Sequence, residues 1–357
     1  MQKFIAMAQV AAIGLDVGDD STRVCAVDGD GEIVRESQLR TMPREIEIFF
    51  SSQARTRVIL EVGTHSPWMS RLIAKYGHEV IVANPRQLKL ISQSTRKTDR
   101  IDAQTLAELG RTRSKLLKTV QHRSEQAQVD LTQVHSRQQL IGTRTRLVNY
   151  VRGVLKSFGL RPPRCEAGCF YKRARAAIPP QLNDALKPVV DALSFLETLI
   201  RTCDRKLTQL ADECYGETTR MRQVDRVGPA TSLGMRLVID DPRRFKRSRA
   251  VGAYVGLAPR QYESGKSRAQ LSITKAGDKM LRSLLVQCAQ QILGRLGKDC
   301  DLKRYGQTIC KRGGKNAKKR AVIAVARKLA VLLHRLWMTG EVYEPLRNAK
   351  RIAAAAA

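Results

Sequence analysis

Apolar and polar positions change period along this chain, and the changes mark its elements. Residues 11–17 form a short apolar run that reads as a buried strand, and residues 23–27 and 32–34 read as a hairpin around Asp28-Gly29-Asp30-Gly31. Residues 46–51 have a helical pattern, 57–61 another buried-strand pattern, and 67–76 an amphipathic helix stopped by Gly77. A further strand over 79–83 ends at Asn84-Pro85. Three strands followed by alternating helix and strand predict a mixed sheet flanked by helices.

Beyond that block the period becomes helical. Ile101, Leu106 and Leu109 predict a helix over 100–115, and a charged polar-apolar repeat continues over 124–160. A helical segment of that length and charge reads as an extended arm or coiled-coil-like hairpin rather than a compact core. Arg161-Pro162-Pro163 and Ile178-Pro179-Pro180 break the pattern before a second long helix over 182–215. Next, Val224-Asp225-Arg226-Val227-Gly228-Pro229-Ala230-Thr231 leads into an apolar helix over 232–239. That spacing suits a helix-hairpin-helix, whose turn and following helix N-terminus offer N–H groups to a phosphate. Arg226 stands where such a hairpin usually has glycine, and an ordinary tight turn between helices is the other reading. The expected organisation is an α/β domain over 1–120, a helical arm over 121–218 and a mainly α domain over 219–357.

Charge gives this architecture a direction. The 357 residues hold 64 Lys and Arg against 33 Asp and Glu, a net charge of +31 that implies a polyanionic partner. The excess is uneven: residues 1–115 hold 17 basic and 14 acidic side chains, net +3, and residues 116–357 hold 47 and 19, net +28. A near-neutral first domain rich in carboxylates suits catalysis, and the basic remainder suits a grip on nucleic acid. A hydrophobic share of 43% excludes a disordered chain, and aromatics at 5% argue against base stacking as the dominant binding mode. The eight cysteines are scattered without CxxC spacing, which fits a reduced intracellular protein. Cys165, Cys169, Cys203 and Cys214 are the set from which a zinc site could be assembled, although free cysteines commonly serve as small buried apolar residues. No run reaches the ~18 apolar residues of a membrane span, and the apolar start at Phe4 runs directly into Asp16 within the first strand, so secretion is not expected.

The candidate chemistry lies in four carboxylates. Asp16 ends one buried strand and Glu61 another, and Asp99 and Asp102 are three apart, hence on one face of a helix. Carboxylates at strand ends need neutralisation, and four of them could hold two Mg²⁺ ions about 4 Å apart, as phosphoryl transfer requires. By spacing alone, Asp99 and Asp102 beside Arg96, Lys97 and Arg100 also read as a solvated helix start. His65 and His78 read as structural. Lys311, Arg312, Lys315, Lys318, Lys319 and Arg320 cluster around the Gly313-Gly314 pair and read as phosphate contacts.

Ile13-Gly14-Leu15-Asp16-Val17-Gly18, Leu60-Glu61-Val62-Gly63-Thr64, Asn84-Pro85 and Lys97-Thr98-Asp99-Arg100-Ile101-Asp102-Ala103 together resemble the DEDD transposases of the insertion-sequence 110 group. The resemblance returns in Tyr254-Val255-Gly256-Leu257-Ala258-Pro259-Arg260, Tyr262-Glu263-Ser264-Gly265-Lys266-Ser267 and Ile273-Thr274-Lys275-Ala276-Gly277-Asp278. It implies a RuvC-like, RNase H-type first domain whose metal-binding carboxylates are Asp16, Glu61, Asp99 and Asp102, and a nucleophilic serine at Ser264. Arg260, Lys266, Arg268 and Lys275 would supply positive charge around that serine. The implied activity is site-specific recombination of donor and target DNA for a bacterial insertion sequence. A structured noncoding (bridge) RNA would act as guide, and a homodimer would assemble to a tetramer in the cytoplasm, at the nucleoid. Two other readings differ in chemistry: a RuvC-like Holliday-junction endonuclease that uses water in place of Ser264, and a nonenzymatic RNA-binding protein indifferent to the carboxylates.

Overall fold

A computed structural model describes residues 10–84, 99–112, 119–261, 263–264, 267–268 and 271–348. The chain divides into two compact units, residues 1–122 and 123–357.

The first unit is built on a five-stranded sheet of β1 (Ala12–Val17), β2 (Ser21–Val27), β3 (Ile33–Arg40), β4 (Arg57–Glu61) and β5 (Glu79–Ala83), in the order β3-β2-β1-β4-β5. β1, β2 and β3 pair antiparallel, whereas β4 and β5 join β1 in parallel, giving the mixed sheet expected of an RNase H-like domain. The β2–β3 turn is held by one carboxylate oxygen: Asp28 Oδ1 accepts from the backbone N–H groups of Asp30, Gly31 and Glu32 at 2.9–3.0 Å. β3 runs to Arg40, well past the expected 32–34, because it is an edge strand with mostly exposed side chains and so carries no apolar alternation.

The two sheet faces are separate. Ile13, Leu15, Val58, Leu60 and Val82 pack against α1 (Pro43–Ser51) and α2 (Ser66–Lys75) through Ile46, Phe50, Met69 and Ile73. On the other face Ala12, Cys25, Ile59 and Ala83 pack against Ala103, Leu106 and Ala107 of α3 (Asp99–Arg111). Two glycines permit that second contact. A Cβ on Gly14 would lie 2.0 Å from the Ala103 carbonyl oxygen, and one on Gly110 would lie 1.9 Å from Cδ1 of Ile59.

The second unit is helical. α4 (Glu125–Ser157), capped by the Ser124 hydroxyl, and α6 (Pro180–Glu213) run antiparallel, as the pairs Arg137–Asp204 at 2.8 Å and Arg144–Glu197 at 2.6 Å require. Their distal ends enclose a small core of their own, with Val151, Leu155, Leu186 and Val190 around Phe170 of α5 (Phe170–Ala177). Their proximal ends, through Leu131, Val134 and Leu207, share the unit's main core. The helical arm expected over 121–218 is thus rooted in the same hydrophobic cluster as the C-terminal helices.

α7 (Thr218–Arg222) and α8 (Pro229–Ile239) flank the turn that the sequence offers as a helix-hairpin-helix or as an ordinary tight turn, and Arg226 in that turn has φ +68°. The left-handed backbone that glycine usually supplies is therefore kept by an arginine. α9 (Val251–Tyr254), α10 (Lys279–Leu293), α11 (Asp301–Lys311) and α12 (Ala317–Thr339) complete the unit, with α12 buried along Val325, Leu329 and Leu333. None of the described helices is long and apolar enough to cross a membrane.

Candidate active site

The parallel register of β1 and β4 pairs Gly14 with Ile59 and Leu15 with Leu60, so Asp16 and Glu61 fall side by side one position on, at the C-terminal ends of both strands. Side chains alternate across a sheet, which puts Asp16 on the face of Gly14 and Glu61 on the face of Ile59. That is the face covered by α3. The helix runs antiparallel to β1, since Gly110 meets Ile59 and Ala12 whereas Ala103 meets Gly14. Its first turn, with Asp99 and Asp102, therefore lies toward the strand ends that carry Asp16 and Glu61. Register and helix direction thus orient four residues scattered over 87 positions of sequence toward the same end of one sheet face.

Burial separates them. Asp102 keeps 9% of its surface, Asp16 and Glu61 are half-buried, and Asp99 is exposed. Arg100 between the two helix carboxylates is bound elsewhere, to Glu36 at 2.7 Å. Among the described residues no three Asp, Glu, His or Cys side chains are drawn close enough to hold a metal ion by themselves. The donor set nevertheless suits one kind of ion: it is all carboxylate oxygen, the ligand of hard cations. Mg²⁺ is usually held by one or two carboxylates, with water and substrate phosphates completing its octahedron.

The histidines of the first unit have structural partners. Nδ1 of His65 accepts from the Trp68 indole at 3.1 Å, which leaves Nε2 to donate to Asp19 at 3.3 Å. His122, a residue that sequence reasoning did not single out, meets the Ser66 hydroxyl at 2.9 Å. His78 is buried, bonded to Thr56 N and the Phe50 carbonyl at 3.2 and 3.0 Å. All eight cysteines are free, with Cys25, Cys288 and Cys300 buried as packing residues. Burial pushes the Cys25 thiol up to about 11, so it stays protonated and inert at neutral pH.

In the second unit Ser264 lies on a two-stranded hairpin, β6 (Glu263–Ser264) with β7 (Ser267–Arg268), in which Ser264 pairs with Ser267. Arg268 falls on β7; Lys266, and the side chains of Ser264 and Arg268, lie outside the described residues. The legs of this excursion are clamped at their base: Arg260 N donates to Ser272 O at 3.0 Å, Thr274 N to Ala258 O at 2.9 Å and Lys275 N to Gly256 O at 3.1 Å. Gly256 and Gly277, at φ +72° and +73°, allow the two loops to interlock, because a Cβ on either would lie about 2 Å from the other loop's backbone. Arg260 and Lys275 are exposed beside this base. Lys311, Arg312, Lys315, Lys318, Lys319 and Arg320 are all exposed around the α11–α12 junction. Three of them stand in the first turn of α12, where the helix dipole is already positive, an arrangement that is unfavourable without an anion.

A family model described as the DEDD transposase of IS110 matches residues 13–159, and that of the IS116/IS110/IS902 transposase family matches residues 218–305. A transposase of Sinorhizobium fredii, y4pF/y4sB, is 30% identical over 344 residues, covering 94% of this chain and 86% of its own. The chain belongs to the IS110 family of transposases. The transposase for insertion sequence element IS1111A of Coxiella burnetii is 27% identical over 94% of this chain and 92% of its own. The pilin gene-inverting protein of Moraxella bovis is 25% identical, covering 77% of each chain. As an IS110-family member the protein is a DNA-processing enzyme with a transposase or recombinase role, and the first family match spans all four carboxylates whereas the second spans Ser264.

Proposed function

We propose that this IS110-family transposase is a site-specific recombinase that cuts and exchanges DNA strands through a covalent serine–DNA intermediate, guided by a structured noncoding RNA of its own element. The observation that carries the reading is the placement of Asp16 and Glu61 side by side at the ends of β1 and β4, on the face where α3 brings Asp99 and Asp102. A near-neutral unit that carries Asp16, Glu61, Asp99 and Asp102, joined to a strongly basic unit that carries a hairpin serine, fits a reaction that needs both.

In the proposed step the Ser264 hydroxyl oxygen forms a bond to the scissile phosphorus, and the bond from phosphorus to one sugar oxygen breaks. The serine proton passes to a base, and the departing sugar oxygen takes up a proton. One phosphodiester is exchanged for a phosphoserine ester, so no external energy source is needed. Asp16, Glu61, Asp99 and Asp102 would hold Mg²⁺, which when bound stabilises the negative charge developing on the phosphoryl oxygens. Arg260 and Lys275 beside the hairpin base attract the DNA backbone and hold it in register.

Ser264→Ala tests the intermediate. Denaturing gels of a reaction with labelled DNA are expected to show a protein–DNA adduct for the unaltered chain and none for Ser264→Ala, with DNA and RNA binding retained. An adduct that persists in Ser264→Ala, or maps to Ser267 or Ser272, removes the assignment of Ser264. Cleavage with no adduct in either protein favours water as nucleophile, as in a junction endonuclease.

A further inference from the structure

The second unit contains a cavity of about 1040 Å³. Its floor is apolar, with Leu257, Ile273, Leu302, Tyr305, Ile323 and Val331 among its lining. Its rim is mostly cationic: Arg249, Arg312, Lys319, Arg327 and Lys328 stand around it with two carboxylates, Asp301 and Glu344, and none of the described carboxylates forms an ion pair with any of the five. The Lys328 ammonium lies 3.6 Å from the centre of the Tyr305 ring. One wall is the clamped base of the Ser264 hairpin, where Pro259 pairs with Ile273.

We propose that this cavity seats a short run of unstacked nucleotides, with bases against the apolar floor and phosphates on the cationic rim. The volume lies at the upper limit of the roughly 300–1,000 Å³ that small-ligand sites span, which leaves room for more than one nucleotide. Its chemistry must join flat apolar surface to several negative charges. A duplex offers the charges but hides its base faces, and would leave the floor uncovered; an unpaired strand offers both. Nucleic acid is the natural substrate class of a transposase, and the wall shared with the hairpin base puts the seated nucleotides within a few residues of Ser264 along the chain. The proposal does not depend on which group is the nucleophile.

The test uses the full chain and fluorescently labelled 12-nucleotide strands, one of DNA and one of RNA, with a hairpin duplex of matching sequence as comparator. Ala324 lines the cavity in the middle of α12, and Ala324→Trp fills the space without altering charge. Single-strand affinity is expected to fall about tenfold in Ala324→Trp, of the order of one stacked base, with duplex affinity changed less than twofold. A larger loss for one of the two single strands identifies RNA or DNA as the source, and either supports the seat. Equal losses for single strand and duplex overturn the proposal in favour of a simple charged surface. Displacement of the single strand by polyglutamate as readily as by unlabelled strand overturns it in favour of an acidic protein partner. Because a tryptophan there can also disturb α12, the unaltered protein is photocrosslinked to a strand containing 5-iodouracil. An adduct on Tyr305 supports the seat, and adducts confined to residues outside the cavity overturn it.

Discussion

Asp102 is nearly buried, whereas Asp99, one helical turn earlier, faces solvent. A buried carboxylate is costly unless a cation or hydrogen-bond donors offset it, so a residue kept there for function should be replaceable without loss of stability. Asp102→Asn is therefore expected to lower strand cleavage by roughly 100-fold or more. Thermal stability should be unchanged or raised, and nucleic-acid affinity should stay within twofold. Parallel loss of melting temperature, binding and cleavage would instead assign Asp102 a folding role. His334 is a second buried group with a measurable signature: it packs against Phe245 and Trp337 and bonds the Ser248 hydroxyl and the Pro242 carbonyl, both at 2.9 Å. Burial disfavours the imidazolium and holds its pKa below the ordinary value. With the folded pKa below that of the unfolded chain, near 6.5, the unfolded state takes up the proton first as pH falls. Stability from this group is full above about pH 6.5 and is lost as pH drops toward the folded pKa. Urea midpoints at pH 7.5, 6.5 and 5.5 should decline for the unaltered chain and decline less for His334→Gln; equal slopes would show that other groups set the pH dependence.

Gly14 and α3 illustrate how an element rather than a side chain positions the carboxylates. The helix backbone lies directly on Gly14, and Gly14→Ala must push Ala103, and with it Asp99 and Asp102, away from the sheet. The expected result is a loss of about 1–3 kcal/mol in stability together with loss of strand cleavage. Gly29→Ala, where an added Cβ meets nothing within 4 Å, serves as the control. Cleavage at the ordinary rate in Gly14→Ala would mean that the position of α3 does not govern the reaction. The α7–α8 turn gives a second comparison at this scale. Arg226 holds φ +68°, a conformation that costs a non-glycine residue roughly 1–2 kcal/mol, and its guanidinium donates to the Leu296 carbonyl. Glycine and alanine both delete that bond, so Arg226→Gly should be more stable than Arg226→Ala by about 1 kcal/mol; equal unfolding midpoints would deny the strain. Strands with a buried face, such as Arg57–Glu61 and Glu79–Ala83, were legible because burial imposes a pattern on sequence. The length of β3 was not, because an exposed edge strand imposes none. Asp16, Glu61, Asp99 and Asp102 could be named from sequence, but their orientation toward one sheet end depends on strand register and on a glycine contact that no local pattern encodes. The cavity beside α12 had no sequence signal either, since its walls come from six separate stretches of chain.

At the scale of the whole molecule, residues 123–357 carry 46 basic and 19 acidic side chains, a net +27, against +4 for residues 1–122 with 18 and 14. Such an excess makes affinity for nucleic acid largely a matter of displaced counterions. A surface that neutralises six to ten phosphates loses on the order of 10³-fold or more in affinity between 50 and 200 mM salt. That loss is expected for both DNA and RNA, so charge alone cannot choose between them, and neither salt dependence nor co-purifying RNA establishes guidance. The discriminating quantity is site-specific recombination. Protein treated with ribonuclease and stripped of RNA at high salt should still bind DNA steeply and without sequence preference, because the basic unit is unaltered, but should no longer join a chosen donor to a chosen target. Adding back the noncoding RNA of the element should restore joining, and changing the bases in its loops should move the target accordingly. If stripped protein recombines its own sites as efficiently as before, guidance by RNA is excluded and target choice must come from protein contacts to base edges. The family membership and the carboxylate placement would stand unchanged by that result.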